Sequence, residues 1–149
     1  MSLKEKLFAD LKTAMKEKDA VKKDTVQLIR SGILQIEKDK KIELDDDAIL
    51  DVIAKQLKQR RDSMPDYVKS GRTDLIEKLE QEIQILLSYL PEQLSETELE
   101  EIIRDTINEL GASSIKDMGK VMGAVTPKVR GRADNKMVGA IVKKMLAGA

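Results

Sequence analysis

The sequence predicts an all-α protein, a helical N-terminal domain of about four helices followed by a small three-helix C-terminal domain. Three observations carry this. Charged residues make up 36% of the 149-residue chain and aromatics only 2%. That is the Lys-, Glu-, Leu- and Ile-rich balance of helical proteins, whereas a sheet protein draws more on Val, Thr, Tyr and Phe. Apolar residues recur at steps of three and four along most of the chain, the spacing of one helix face. Ser followed three residues later by an acid opens several of these stretches, which marks helix starts.

In chain order, Ser2 and Glu5 form a capping box ahead of a helix over about 3–17, with Leu3, Leu7, Leu11 and Met15 stepping by four and Phe8 beside them. Asp19 caps a second helix over about 20–38, with Val21, Thr25, Leu28, Ile29, Gly32, Ile33 and Ile36 inward, and 38–41 makes a solvated turn. Asp45, Asp46 and Asp47 lack the alternating ligands, turn glycine and distal Glu of a calcium loop. They suit the start of a third helix, where acids oppose the positive end of the helix dipole. Its inward residues are Ala48, Ile49, Val52, Ile53, Gln56 and Leu57. Arg60 and Arg61 either make an anion-binding patch or pair with neighbouring acids. Pro65, with Ser63 and Asp66 as a fresh cap, predicts a kink or restart at 63–65, and Gly71 suits the helix end.

A fourth helix over about 73–89 turns Leu75, Ile76, Leu79, Ile83, Leu86, Leu87 and Leu90 inward and Glu77, Glu80 and Glu82 to water, and Pro91 stops it. The stretch 91–94 is the expected boundary, giving domains 1–92 and 93–149. Ser95 and Glu98 open a fifth helix over 96–110 with Leu99, Ile102, Ile103, Ile107 and Leu110 inward, ended by Gly111. Ser114 with Asp117 opens a sixth, with Val121, Met122 and Val125 as its apolar stripe. Gly119 and Gly123 share a face where another helix could approach closely. Pro127 is expected to end that helix, leaving 128–132 as a basic loop. Asp134 caps the last helix, with Met137, Val138, Ile141, Val142, Met145 and Leu146 inward.

Charge is unevenly placed. Residues 112–149 hold eight Lys/Arg and two acids, a net of +6, and because the whole chain is neutral the remainder carries −6. Such asymmetry points to an acidic partner, nucleic acid being the commonest, or to a basic tail folded back on an acidic body. Lys120, Lys128, Arg130, Arg132, Lys136, Lys143 and Lys144 are the candidate RNA-binding residues. The chain has no Trp and one Phe, so no platform for stacked bases, and recognition would read phosphate and shape.

The absences are as informative. Cys and His are both missing, which removes disulfides, Ser-His and Cys-His nucleophile pairs, and zinc sites built on those ligands. No cofactor, no metal and no catalytic residue is expected. The N-terminal stretch reads as a helix and not as a signal peptide, and no run has the roughly 18 apolar residues of a membrane span. A cytoplasmic protein is the resulting expectation.

Met118-Gly119-Lys120-Val121-Met122, then Lys128, Gly131, Arg132-Ala133 and Lys136-Met137-Val138, give the chain a resemblance to YqeY-like proteins of the GatB/YqeY family. Leu87–Leu94 and Arg60-Arg61-Asp62-Ser63 add to it, so the resemblance covers essentially the whole chain. Asn135 departs from the Gly expected after the Asp, though Asn tolerates a left-handed turn better than most residues. The family shares a domain with the tail of the B subunit of the tRNA-dependent amidotransferase. The resemblance therefore implies a helical two-part fold and a non-catalytic role in tRNA binding or tRNA metabolism, with tRNA as partner and a tRNA-charging or amidotransferase enzyme as a further one. It also implies a carbon–nitrogen ligase term, which belongs to the multi-domain enzyme. A protein-interaction adaptor is the alternative, motivated by the acid-rich N-terminal half and the Gly119/Gly123 face.

Overall fold

The computed structural model describes residues 1–148, which form seven α-helices and one 3₁₀ turn and contain no strand. They divide into two compact units, Met1–Leu90 and Pro91–Ala149.

The first unit holds α1 (Leu3–Lys16), α2 (Ala20–Lys40), α3 (Asp46–Ser70) and α4 (Thr73–Tyr89). Each of the first three begins at an oxygen-bearing side chain. Ser2 accepts from the Glu5 N–H, Asp19 from Lys22 and Asp45 from Ala48, satisfying donors that the first turn leaves open. Leu7, Leu11, Val26, Ile29, Ile49, Ile53, Leu57 and Leu86 fill the core. A fully buried Leu or Ile contributes about 1.5–3 kcal/mol of transfer free energy.

Three expectations are corrected in this unit. Met15 is 56% exposed and Ala14 takes its place inside, because a strict four-residue step drifts about 40° per step around a helix of 3.6 residues per turn. Leu28 is also exposed and Val26 is buried instead, because at about 100° per residue Leu28 lies about 160° around the helix from Val26. The helix does not restart at 63–65. α3 runs through Pro65 to Ser70, and the Ser63 hydroxyl, expected as a cap, donates to the Gln59 carbonyl at 2.9 Å. Pro65 is exposed between half-buried Met64 and Tyr67, so its ring lies on the wet side while its neighbours keep α3 packed.

The two halves of α2 and α3 meet at Gly32. A Cβ there would lie 3.1 Å from Gln56 Nε2 and 3.2 Å from Val52 Cγ1. Polar links then join elements distant in sequence. Lys4 pairs with Glu37 at 2.6 Å, and Glu37 also accepts from the Leu44 N–H at 2.9 Å. Arg60 pairs with Glu82 at 3.3 Å with both side chains largely buried, and donates to the Gln56 carbonyl. Buried Tyr89 donates its hydroxyl to Asp10. Thus Arg60 pairs with an acid and is not part of an exposed anion patch.

The second unit holds α5 (Glu96–Leu110), the 3₁₀ turn Ile115–Asp117, α6 (Met118–Val129) and α7 (Asn135–Ala147). α5 opens with the full Ser95/Glu98 capping box and closes on Gly111 at φ +64°. Leu99, Ile103, Val121, Val125, Val129, Val138, Val142 and Leu146 form the core. The Asp117 carboxylate accepts from the Ser113 and Ser114 N–H groups, so the expected Ser114/Asp117 pair closes the 3₁₀ turn ahead of α6. Pro127 does not end α6, which continues to Val129, so Lys128 and Val129 are helical. Val121, Val125 and Val129 are all interior on one face, and burying Val129 offsets much of the roughly 3 kcal/mol cost of an internal proline.

Candidate nucleic-acid interface

α6, the turn after it and α7 carry the seven candidate cations, and the structure sorts them into two groups. Lys128 stands in the last turn of α6 and reaches α5, donating to Thr106 Oγ1 at 2.9 Å and pairing with Glu109 at 3.3 Å. Arg132 donates from Nε to the Glu92 carbonyl at 3.1 Å, while its own carbonyl accepts from the Leu94 N–H at 2.9 Å. Gln93 completes this latch by donating to the Gly131 carbonyl at 2.7 Å. Gly131 is buried with φ +72°, a backbone geometry that costs an L-residue about 1–2 kcal/mol. Arg130, half-buried, ends α6. The stretch expected as a basic loop therefore ends in a fastened corner at 131–132.

Lys120, Lys136, Lys143 and Lys144 form the second group, all exposed. Lys136 and Lys143 are seven apart, so they share one face of α7. Lys120 lies one residue after Gly119 on the outer side of α6. The Ser113 and Ser114 N–H groups, and least of all the Lys120 charge, hold the Asp117 carboxyl below its ordinary range.

The glycines beside Lys120 behave unlike the expectation. Gly119 and Gly123 are exposed, and no neighbouring atom lies within 4 Å of a Cβ built on either. The close helix approach expected there does not occur among the described residues; Gly32 in the first unit has it instead. What α6 presents is bare backbone flanked by Lys120. The left-handed turn expected at Asn135 is also absent. Asn135 is the first residue of α7, and the positive φ lies at Gly131.

The charge asymmetry takes a sharper form than the sequence suggested. Residues 1–90 contain equal numbers of cations and acids, so the first unit is neutral, not acidic. The acids that balance the +6 segment lie in 91–111, where seven acids face one Arg. Within a single three-helix unit, α5 is acidic and α6–α7 basic, and Lys128–Glu109 joins the two. Gln93 and Thr106 were the partners that sequence reasoning missed, since neither sits in a motif and only the fold brings them to 131 and 128.

Among the described residues no cluster of His, Cys, Asp or Glu could hold a metal ion, and no helix is long and apolar enough to cross a membrane. Of the three consecutive aspartates, Asp45 caps α3 and Asp46 accepts from the Leu3 N–H at 3.0 Å.

A family model described as Yqey-like protein matches residues 4–146. The chain belongs to the YqeY-like family. Curated relatives include proteins named Altered inheritance of mitochondria protein 41, mitochondrial. The one from Pyrenophora tritici-repentis is 31% identical over 86% of this chain and 71% of its own length. Those from Lachancea thermotolerans and Vanderwaltozyma polyspora are 37% and 34% identical over 72% and 75% of this chain, which spans 59% and 64% of their lengths. Neither the family description nor these names carries a catalysed reaction. The names do overturn the cytoplasmic expectation, since each calls its protein mitochondrial. A chain without thiols is indifferent to the redox poise of its compartment, so its composition had no power to make that assignment.

Proposed function

We propose that this YqeY-like chain is a non-catalytic accessory protein that binds tRNA through the α6–α7 side of its second unit, with a mitochondrial role taken from the names of its relatives. The observation that carries the reading is the exposed set Lys120, Lys136, Lys143 and Lys144 on α6 and α7, together with the uncovered backbone of α6 at Gly119 and Gly123. A helix face without side chains lets a phosphate chain come close, and lysines around it supply the charge. The acidic α5 on the other side of the unit sets the orientation of approach. Residues 91–149 contain no aromatic residue, so binding rests on phosphate and shape and not on stacking. Lys128 and Arg132 serve the fold and act on RNA only through it.

Titration of the purified chain against tRNA and against duplex DNA over a salt series tests this. About four phosphate contacts give a log–log slope of roughly −3 to −4, with tRNA preferred. Flat salt dependence, or equal binding of both nucleic acids, contradicts it.

A further inference from the structure

Between α5 and α7 the second unit has a groove of about 690 Å³. Its floor is apolar, formed by Ile107, Met137, Ile141 and Met145, and Met137 is 46% exposed there. Its two banks differ in sign. Glu96, Glu100 and Arg104 stand on the α5 bank, which is acidic on balance, and Lys144 stands on the α7 bank. The groove therefore follows the seam between the acidic helix and the basic one.

We propose that this groove seats an amphipathic helix of a partner protein whose apolar stripe is bordered by basic residues on one side and acidic residues on the other. The apolar floor takes the stripe at the i, i+3, i+4 spacing of a helix face. The basic border faces Glu96 and Glu100, and the acidic border faces Lys144. Nucleic acid does not suit the site, because the α5 bank is acidic on balance and a phosphate chain has no apolar stripe for the floor. The groove shares Lys144 with the lysine set read as binding tRNA, but Glu96, Glu100 and the apolar floor are not part of that set.

The full chain, without RNA, is titrated with three synthetic Ala-rich helical peptides of about 15 residues that share one Leu stripe. One has a Lys border and a Glu border, one has Glu on both borders, and one has Lys on both. The mixed peptide is expected to bind at least tenfold tighter than either uniform one, and Met137→Gln to weaken it about tenfold. Glu100→Lys moves the preference toward the doubly acidic peptide, and circular dichroism checks that the variant is folded. Equal binding of the three peptides, an unchanged preference in Glu100→Lys, or unaltered binding in Met137→Gln overturns the proposal. So does a concentration-dependent dimer that Met137→Gln abolishes, which would make a second copy the occupant.

Discussion

The two units carry equal numbers of positive and negative side chains but use them differently. In the first, ionic and hydroxyl groups link helices far apart in sequence: Lys4 to Glu37, Arg60 to Glu82, Tyr89 to Asp10. In the second, the Lys128–Glu109 ion pair joins α6 to α5, and the latch at 92–94 and 131–132 is made on backbone carbonyls. Charge in the first unit is mixed, and part of it holds helices together. In the second it is separated, acid on α5 and base on α6–α7, which leaves exposed lysines on α6 and α7. Neutrality of a unit therefore says little about whether it can attract a charged partner; the segregation of its charges decides that.

The largest expected effect contrasts the two ion pairs. Arg60→Met leaves largely buried Glu82 without its partner and is expected to cost about 2 kcal/mol in urea unfolding. Lys128→Met breaks a more exposed pair and should cost under about 1 kcal/mol. Equal costs would remove the distinction between the units. Next is Gly131→Ala, which forces an L-residue to φ +72° in a buried corner and should destabilise by about 1–2 kcal/mol. Thermal unfolding measures it, and a neutral result would mean that the latch does not hold the corner.

Glycines give a smaller and opposite contrast. Gly123→Ala meets no neighbour, so it is expected to stabilise α6 by about 0.5–1 kcal/mol while weakening tRNA binding by covering the backbone. Gly32→Ala meets Gln56 and Val52 and should show no such gain. If both variants gain stability equally, the close approach at Gly32 has no energetic weight.

How legible was this in the sequence? Helix starts were, because Ser2, Asp19, Asp45 and Ser95 each bond within three residues of themselves, and local chemistry is what a sequence displays. The two internal prolines were misread because their penalty is local while the compensating burial, of Val129 for example, comes from other helices. The candidate cations were legible as a set and not as a site. Nothing about Lys128 or Arg132 distinguishes them from Lys136 until Thr106, Glu109 and Glu92 are placed beside them. The glycine face was legible as a face, but whether it is covered depends on what packs there.

The smallest effects are local responses to pH. The Lys4 ammonium, then the Leu44 N–H, hold the Glu37 carboxyl below its ordinary range. The folded value is lower than the unfolded one, so this tether is complete above the unfolded value and is lost as pH falls through the folded one. The protection factor of the Leu44 amide, taken against the intrinsic exchange rate, should fall over that acid range, and Glu37→Gln should remove that pH dependence. Tyr89 behaves in the opposite sense. Burial, then the Asp10 carboxylate, pushes its hydroxyl above the ordinary range, so its contribution is complete below the unfolded value near 10 and is lost at higher pH. Tyr89→Phe should flatten the alkaline limb of the stability curve, and an unchanged limb would show that Tyr89 is not the group responsible.

The most direct test of the second unit as the binding surface is to reverse two lysines in each unit and compare tRNA affinity at one salt concentration. Lys136→Glu/Lys143→Glu is expected to weaken binding by a factor of ten or more, while Lys55→Glu/Lys78→Glu, an equal change of charge on the first unit, leaves it within about twofold. Equal losses from the two pairs would mean that net charge alone drives association and that the α6–α7 face is not the site.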